Sequence, residues 1–137
     1  MSERLTATKD GVIKYKLPEF RKGSPLPEHL ITEINLIRDW MKMLGFIGAY
    51  PDGVGYGCVA QRLPPFDSPK GQRRFVVTGT GTGRLFRLTS EHYSIVSAYD
   101  PKQNLVVTEA GAIKPSSESM TLAAVFDQDD EVRVALH

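Results

Sequence analysis

Two short runs in this sequence carry residue types that can do chemistry on a small ligand. The first, Thr78-Gly79-Thr80-Gly81-Thr82-Gly83, alternates hydroxyls with glycines. Glycines let the backbone approach a ligand closely, successive N–H groups can form an anion nest, and three hydroxyls add donors. A phosphate or carboxylate would fit there; a flexible turn between two strands would use the same residues. The run is not a Walker loop, because no Lys-Ser/Thr pair follows and Arg84 leads into no long helix. The second run, Pro115-Ser116-Ser117-Glu118, places a proline and two hydroxyls at an expected helix start. Free N–H groups and the positive end of the dipole favour an anion at such a place. Glu118 in the first turn can equally be a plain capping carboxylate. His29 and His92 have no ligand-like spacing and read as surface residues. By itself His137, closing an apolar strand, reads as a structural histidine or a frayed end.

The elements that must position these runs follow from periodicity. Residues 1–10 are polar and aperiodic, whereas residues 12–17 alternate Ile13, Tyr15 and Leu17 with Lys14 and Lys16, as a half-buried strand does. Residues 18–27 form a connector, with Ser24 a candidate cap ahead of Pro25 and Pro27. Leu30, Ile31, Ile34, Ile37, Met41 and Leu44 then recur at three and four residues, which predicts an amphipathic helix ending near Gly45. Trp40 and Met43 widen its apolar face and are expected in the core. Residues 50–57 are turn formers, residues 58–63 a short strand, and residues 63–74, with three prolines and a glycine, an exposed loop.

Residues 75–78 are an apolar, largely β-branched strand that feeds the glycine run. Thr89 or Ser90 caps a short helical turn, and residues 93–99 and 105–108 read as a hairpin joined through residues 100–104. Residues 115–118 open a second helix that runs to about Gln128, with Met120, Ala123, Ala124 and Asp127 on one face. Val132, Val134 and Leu136 alternate with Arg133, Ala135 and His137 in a closing strand. This order argues for a mixed sheet covered by helices rather than a doubly wound parallel sheet.

The 137 residues fit one domain with a real core. Seventeen basic against sixteen acidic side chains leave a net charge of +1, so no global field favours nucleic acid or an anionic membrane. No apolar run approaches the roughly 20 residues that span a bilayer. The single cysteine, Cys58, cannot form an internal disulfide, and the Met1 end lacks the segments of a secretory signal. A reducing cytoplasm is the expected compartment.

Taken in order, residues 30–137 resemble the class II aldolase/adducin family, which includes fuculose-phosphate and rhamnulose-phosphate aldolases and ribulose-phosphate 4-epimerase. The helix ending before Gly45 looks like the family's opening helix, and Gly57-Cys58-Val59-Ala60-Gln61-Arg62 stands where the family has Gly-Asn-x-Ser-x-Arg. Val76-Val77-Thr78-Gly79-Thr80-Gly81 resembles its strand and phosphate loop, and Leu88-Thr89 with Tyr93-Ser94-Ile95-Val96 its next turn and strand. Pro115-Ser116-Ser117-Glu118 is identical to the family's signature, and nineteen residues later His137 stands where its His-x-His metal motif begins.

The resemblance implies a three-layer α/β/α sandwich with a mixed, mostly antiparallel central sheet. Residues 1–26 would be an N-terminal extension and residues 27–137 the family domain without its C-terminal part. It implies an aldolase- or epimerase-like lyase acting through an enediolate on a small phosphorylated or carboxylated sugar-like substrate, in a homotetramer. Glu118 would be the acid/base, and Cys58, Thr80, Gly81, Ser116 and Ser117 would bind the substrate phosphate. His137 would be the first ligand of zinc or another divalent metal. The departures are Cys58 for asparagine, Ala60 for serine, Leu122 where many members carry histidine, and a single histidine where catalytic zinc takes three protein ligands. A non-catalytic, adducin-like assembly domain is the alternative.

Overall fold

The computed structural model describes residues 12–18 and 20–137; residues 1–10, read above as aperiodic, lie outside them. The fold is mixed α/β. Helix α1 spans Thr32–Met43 and is entered through a 3₁₀ turn at Glu28–Leu30. Gly45 stops it in the left-handed region at φ +81°, which costs a glycine nothing. The cap differs from expectation: Pro27 precedes the 3₁₀ turn and Ile31 the helix, so Ser24 caps neither. A two-stranded ribbon follows, β1 at Gly48–Ala49 and β2 at Gly55–Tyr56. The main sheet holds β3 Val59–Arg62, β4 Phe75–Thr78, β5 Tyr93–Asp100, β6 Leu105–Gly111 and β7 Val134–Leu136, in the order β6-β5-β4-β3-β7. Helix α2 spans Ser119–Gln128.

Every pairing between these strands is antiparallel. The expected mixed character survives only as one parallel bridge between Lys16 and Leu105. The strand expected at residues 12–17 shrinks to that bridge, which two hydrogen bonds hold, Lys16 N to Asn104 O and Val106 N to Lys16 O. Strand alternation divides the core in two. Phe75 and Val77 point with Ala60 and Val96 towards α2, where they meet Leu122, Ala123 and Phe126. Val59, Val76 and Ile95 point the other way and pack with Ile34 of α1 and with Leu26, Ile31 and Ile47.

One side-chain expectation is overturned, and the inward faces of β7 and α2, which periodicity left open, are settled. Trp40 and Met43 lie 65 % and 83 % exposed, while the neighbouring Arg38 is fully buried. The helix does turn the expected stripe of Ile31, Ile34, Ile37 and Met41 to the sheet, but that face is narrower than the apolar residues suggest. In β7 the buried residue is Ala135, with Val134 and Leu136 outside, because Ala135 pairs with Ala60 on the face that α2 covers. In α2 the inward residues are Ser119, Leu122, Ala123 and Phe126, not the set Met120, Ala123, Ala124 and Asp127. The 63–74 loop also anchors itself more than its composition suggests. Arg73 is buried and donates to the Phe126 carbonyl at the end of α2 and to the Asp130 carboxylate.

Candidate functional site

The glycine run and the Pro-Ser-Ser-Glu segment lie side by side. Gly79 bridges Pro115, the Thr80 amide donates to Lys114 O at 2.9 Å, and the Ser116 amide donates to Thr78 O at 3.0 Å. Tyr15 fixes the second segment from below, its hydroxyl donating to Ser116 O at 2.7 Å and to Pro115 O at 3.1 Å. Ser119, buried at the start of α2, donates its hydroxyl to the same Ser116 carbonyl. The helix begins only after the four residues expected to open it, at Ser119, with Glu118 as its N-cap. Ser116 still works as a turn residue, accepting the Glu118 amide on its hydroxyl at 3.2 Å.

Between the two runs is a narrow cleft of about 20 Å³, lined by Gly81, Gly83, Cys58, Ser116, Ser117, Glu118 and His137, with the β2 segment and Gly79 closing it. That volume is roughly one water's worth, so a phosphate needs the flanking side chains to move apart. Within the described residues, the amides of Gly81 and Ser117 make no hydrogen bond. They are two of the donors left for an anion. Thr80 does not line the cleft, and its amide is committed to Lys114. Cys58 lines it through a residue whose side chain belongs to the core. Its amide and carbonyl exchange hydrogen bonds with His137 at 2.9 and 3.0 Å.

That exchange brings the end of β7 to the cleft and sets the His137 Nε2 3.7 Å from Glu118 Oε2. Both side chains remain partly open, 45 % and 33 % exposed. The Thr121 hydroxyl reaches the same Glu118 oxygen at 3.3 Å. A carboxylate beside an imidazole at a half-open cleft can pass a proton to or from a bound molecule. As a metal centre the set is incomplete. Among the described residues no three His, Cys, Asp or Glu side chains converge, and catalytic zinc takes three protein ligands. His92 lies elsewhere, its Nδ1 accepting the Thr89 amide at 2.9 Å as part of a helix cap.

Sequence reasoning missed what stands behind the loop. Arg38 is wholly buried and donates to the carbonyls of Thr82, Leu85 and Phe86 at 3.2, 2.6 and 3.2 Å. Lys42, one turn on, reaches Gly83 O at 2.6 Å. Four carbonyls of one short segment are thus held by two cations of α1. The signal in the sequence was a pair of cations spaced i, i+4, with Arg38 itself four residues after the inward Ile34. The β1–β2 ribbon closes the other side of the loop. A Cβ on Gly83 would collide with the backbone carbonyl of Tyr56 and sit 2.8 Å from that of Gly48. Gly83→Ala should therefore cost about 1–3 kcal/mol as overpacking against backbone that cannot rotate away. A urea midpoint unchanged from the parent would contradict that fit.

No family model, curated protein or solved structure matches the chain. Among the described residues no helix is long and apolar enough to cross a membrane.

Proposed function

We propose that this cleft is the substrate-binding and proton-transfer part of an aldolase- or epimerase-like lyase site of the class II aldolase/adducin kind, built on a three-layer α/β/α sandwich. The substrate class is a small phosphorylated or carboxylated sugar-like molecule. One observation carries the reading: Glu118 and His137, read as acid/base and metal ligand, meet at 3.7 Å beside the glycine run. The free amides of Gly81 and Ser117 take the anionic group. The Glu118 carboxylate moves the proton next to a substrate carbonyl, the step that forms an enediolate. In such enzymes a divalent metal supplies Lewis-acid polarisation; His137 alone does not hold it, and the remaining ligands would come from outside the described residues. A homotetramer in a reducing cytoplasm, with no nucleic-acid or membrane partner, completes the reading.

A non-catalytic assembly domain is the second reading, and Cys58 and Ala60 favour it. Both are buried in the core where the family's polar residues would serve the anion.

Phosphate titration followed by amide NMR shifts separates the two. Two or three charge-assisted hydrogen bonds less their ordering costs correspond to roughly millimolar binding, read as shifts at Gly81 and Ser117. Glu118→Gln should tighten it about fivefold, since a unit charge about 4 Å away costs about 1 kcal/mol in water-like surroundings. Shifts confined to surface residues near Lys70 or Arg73, with Gly81 and Ser117 still, would sink the lyase reading and leave the assembly domain.

A further inference from the structure

The apolar residues of a surface helix normally face the core, yet α1 carries a second apolar stripe on its solvent side. Its inner face holds Ile34 and Arg38, with Ile37 and Met41 packed beside them. Its outer face holds Leu36, Trp40, Met43 and Leu44, which are 61 %, 65 %, 83 % and 66 % exposed. The spacing i, i+4, i+7 and i+8 makes these four a single stripe. Phe86, 78 % exposed, joins it from the segment after the glycine run. Met43 and Phe86 line a shared hollow of about 140 Å³ together with Asp39, Lys42 and Arg87.

We infer that this face is an interface with a second copy of the same chain, related by a two-fold axis. Size is the first argument. A stable interface buries roughly 800 Å² per partner, and aromatic side chains alone contribute about 150–250 Å² each when covered. The stripe with Phe86 and the neighbouring Phe46, itself 59 % exposed, supplies most of that area. Charge is the second argument. The Asp39 carboxylate, 34 % exposed, has the buried Arg38, at 3.6 Å, as its only ion-pair partner among the described residues. The Arg87 guanidinium stands over the Phe86 ring at 5.4 Å and has no carboxylate partner among the described residues.

An acid and a base left open in one hollow are self-complementary across a two-fold: Asp39 of each copy meets Arg87 of the other, and the contact occurs twice. A lipid surface would instead call for a uniformly basic rim, which Asp39 interrupts. The interface lies directly behind the glycine run, because Arg38 and Lys42 of the same helix hold its carbonyls. The inference needs no chemistry in the cleft and stands apart from the lyase reading.

Sedimentation equilibrium of the whole chain, from low to high micromolar, tests it. The parent should sediment as a dimer, or as a tetramer built from two such dimers, and Trp40→Lys, a surface change, as a species half that size with unchanged circular dichroism. Asp39→Arg and Arg87→Asp should each weaken the dimer by about tenfold or more, and the two together should recover most of that loss. A monomeric parent at high micromolar concentration overturns the inference. So does association that Trp40→Lys leaves intact, which would place the contact elsewhere, for instance at the open edge of β7. Binding of the parent to anionic vesicles with no dimer in solution overturns it in favour of a membrane surface, and failure of the charge reversal to restore pairing overturns the two-fold arrangement.

Discussion

Arg38→Met should lower stability by about 3 kcal/mol and loosen the glycine run. The guanidinium is fully buried and gives three hydrogen bonds to the carbonyls of Thr82, Leu85 and Phe86. Hydrogen bonds to a charged donor contribute about 1.5–3 kcal/mol each, and carbonyls left without a donor lose their desolvation cost uncompensated. Against this stands the cost of burying the cation itself, several kcal/mol, which methionine relieves. The Arg38 Nε makes no hydrogen bond among the described residues, so the arginine is not perfectly compensated, and burial depresses its pKa below the ordinary value. The balance leaves a net loss near the stated figure.

Arg38→Lys should fall between the parent and methionine, because a point-like ammonium reaches one carbonyl where a planar fork spans three. Urea midpoints with constant m-values measure the series. The Arg38→Met protein should also lose the phosphate-dependent shift at Gly81. A methionine variant within about 0.5 kcal/mol of the parent would mean that the loop is held by its glycines and the β1–β2 ribbon alone.

Alkaline titration should produce the second large effect, a stability that falls steeply above pH of about 10. Three of the five tyrosines, Tyr15, Tyr93 and Tyr99, have hydroxyls whose pKa is pushed well above the ordinary value, chiefly by burial. The Tyr93 hydroxyl donates to Asn35 Oδ1 and the Tyr99 hydroxyl to Asp127 Oδ1, each at 2.7 Å. Both bonds are lost with the proton, and the Asp127 charge further disfavours a tyrosinate at Tyr99. Below about pH 10 folded and unfolded chains both keep these protons, so the contribution is fully present. Above it the unfolded chain releases protons that the folded chain retains, and stability is lost until the raised folded values are passed.

Each tyrosine contributes up to about 1.4 kcal/mol per pH unit in that window, so three together approach about 4 kcal/mol per unit. Urea midpoints between about pH 9 and 11 should show the slope. Tyr99→Phe should remove about a third of it while keeping the ring contact with Phe75, whose centroid lies 6.1 Å away. An unaltered slope in that variant would trace the alkaline loss to other groups.

Much of the scaffold was legible because it is written in local periodicity. The strand Phe75–Thr78, the hairpin of β5 and β6, helix α1 with its glycine stop, and the cap at Thr89 each depend on residues close in sequence. The juxtaposition of the glycine run with Ser116 and Ser117 was expected only through the resemblance, which assigns both runs to one phosphate. What the sequence left open was rotational phase and long-range pairing. Helix α1 carries two apolar stripes, one through Ile34, Ile37 and Met41, which periodicity picked out, and the other through Leu36, Trp40 and Met43, of which Trp40 and Met43 were expected to widen the core face.

Tertiary structure left the second stripe outside, because only that phase lets Arg38 and Lys42 reach the carbonyls of the loop. In β7 alternation offered Val134 and Leu136 or Ala135 as the inner set. Close packing opposite Ala60 beneath α2 selected the small residue. The meeting of His137 with Glu118 belongs to the same class, fixed by backbone hydrogen bonds between Cys58 and His137 across seventy-nine residues of chain. Local propensity sets which segments become helix or strand; which face turns inward and which distant side chains meet are settled only when buried donors find acceptors and cores fill without voids.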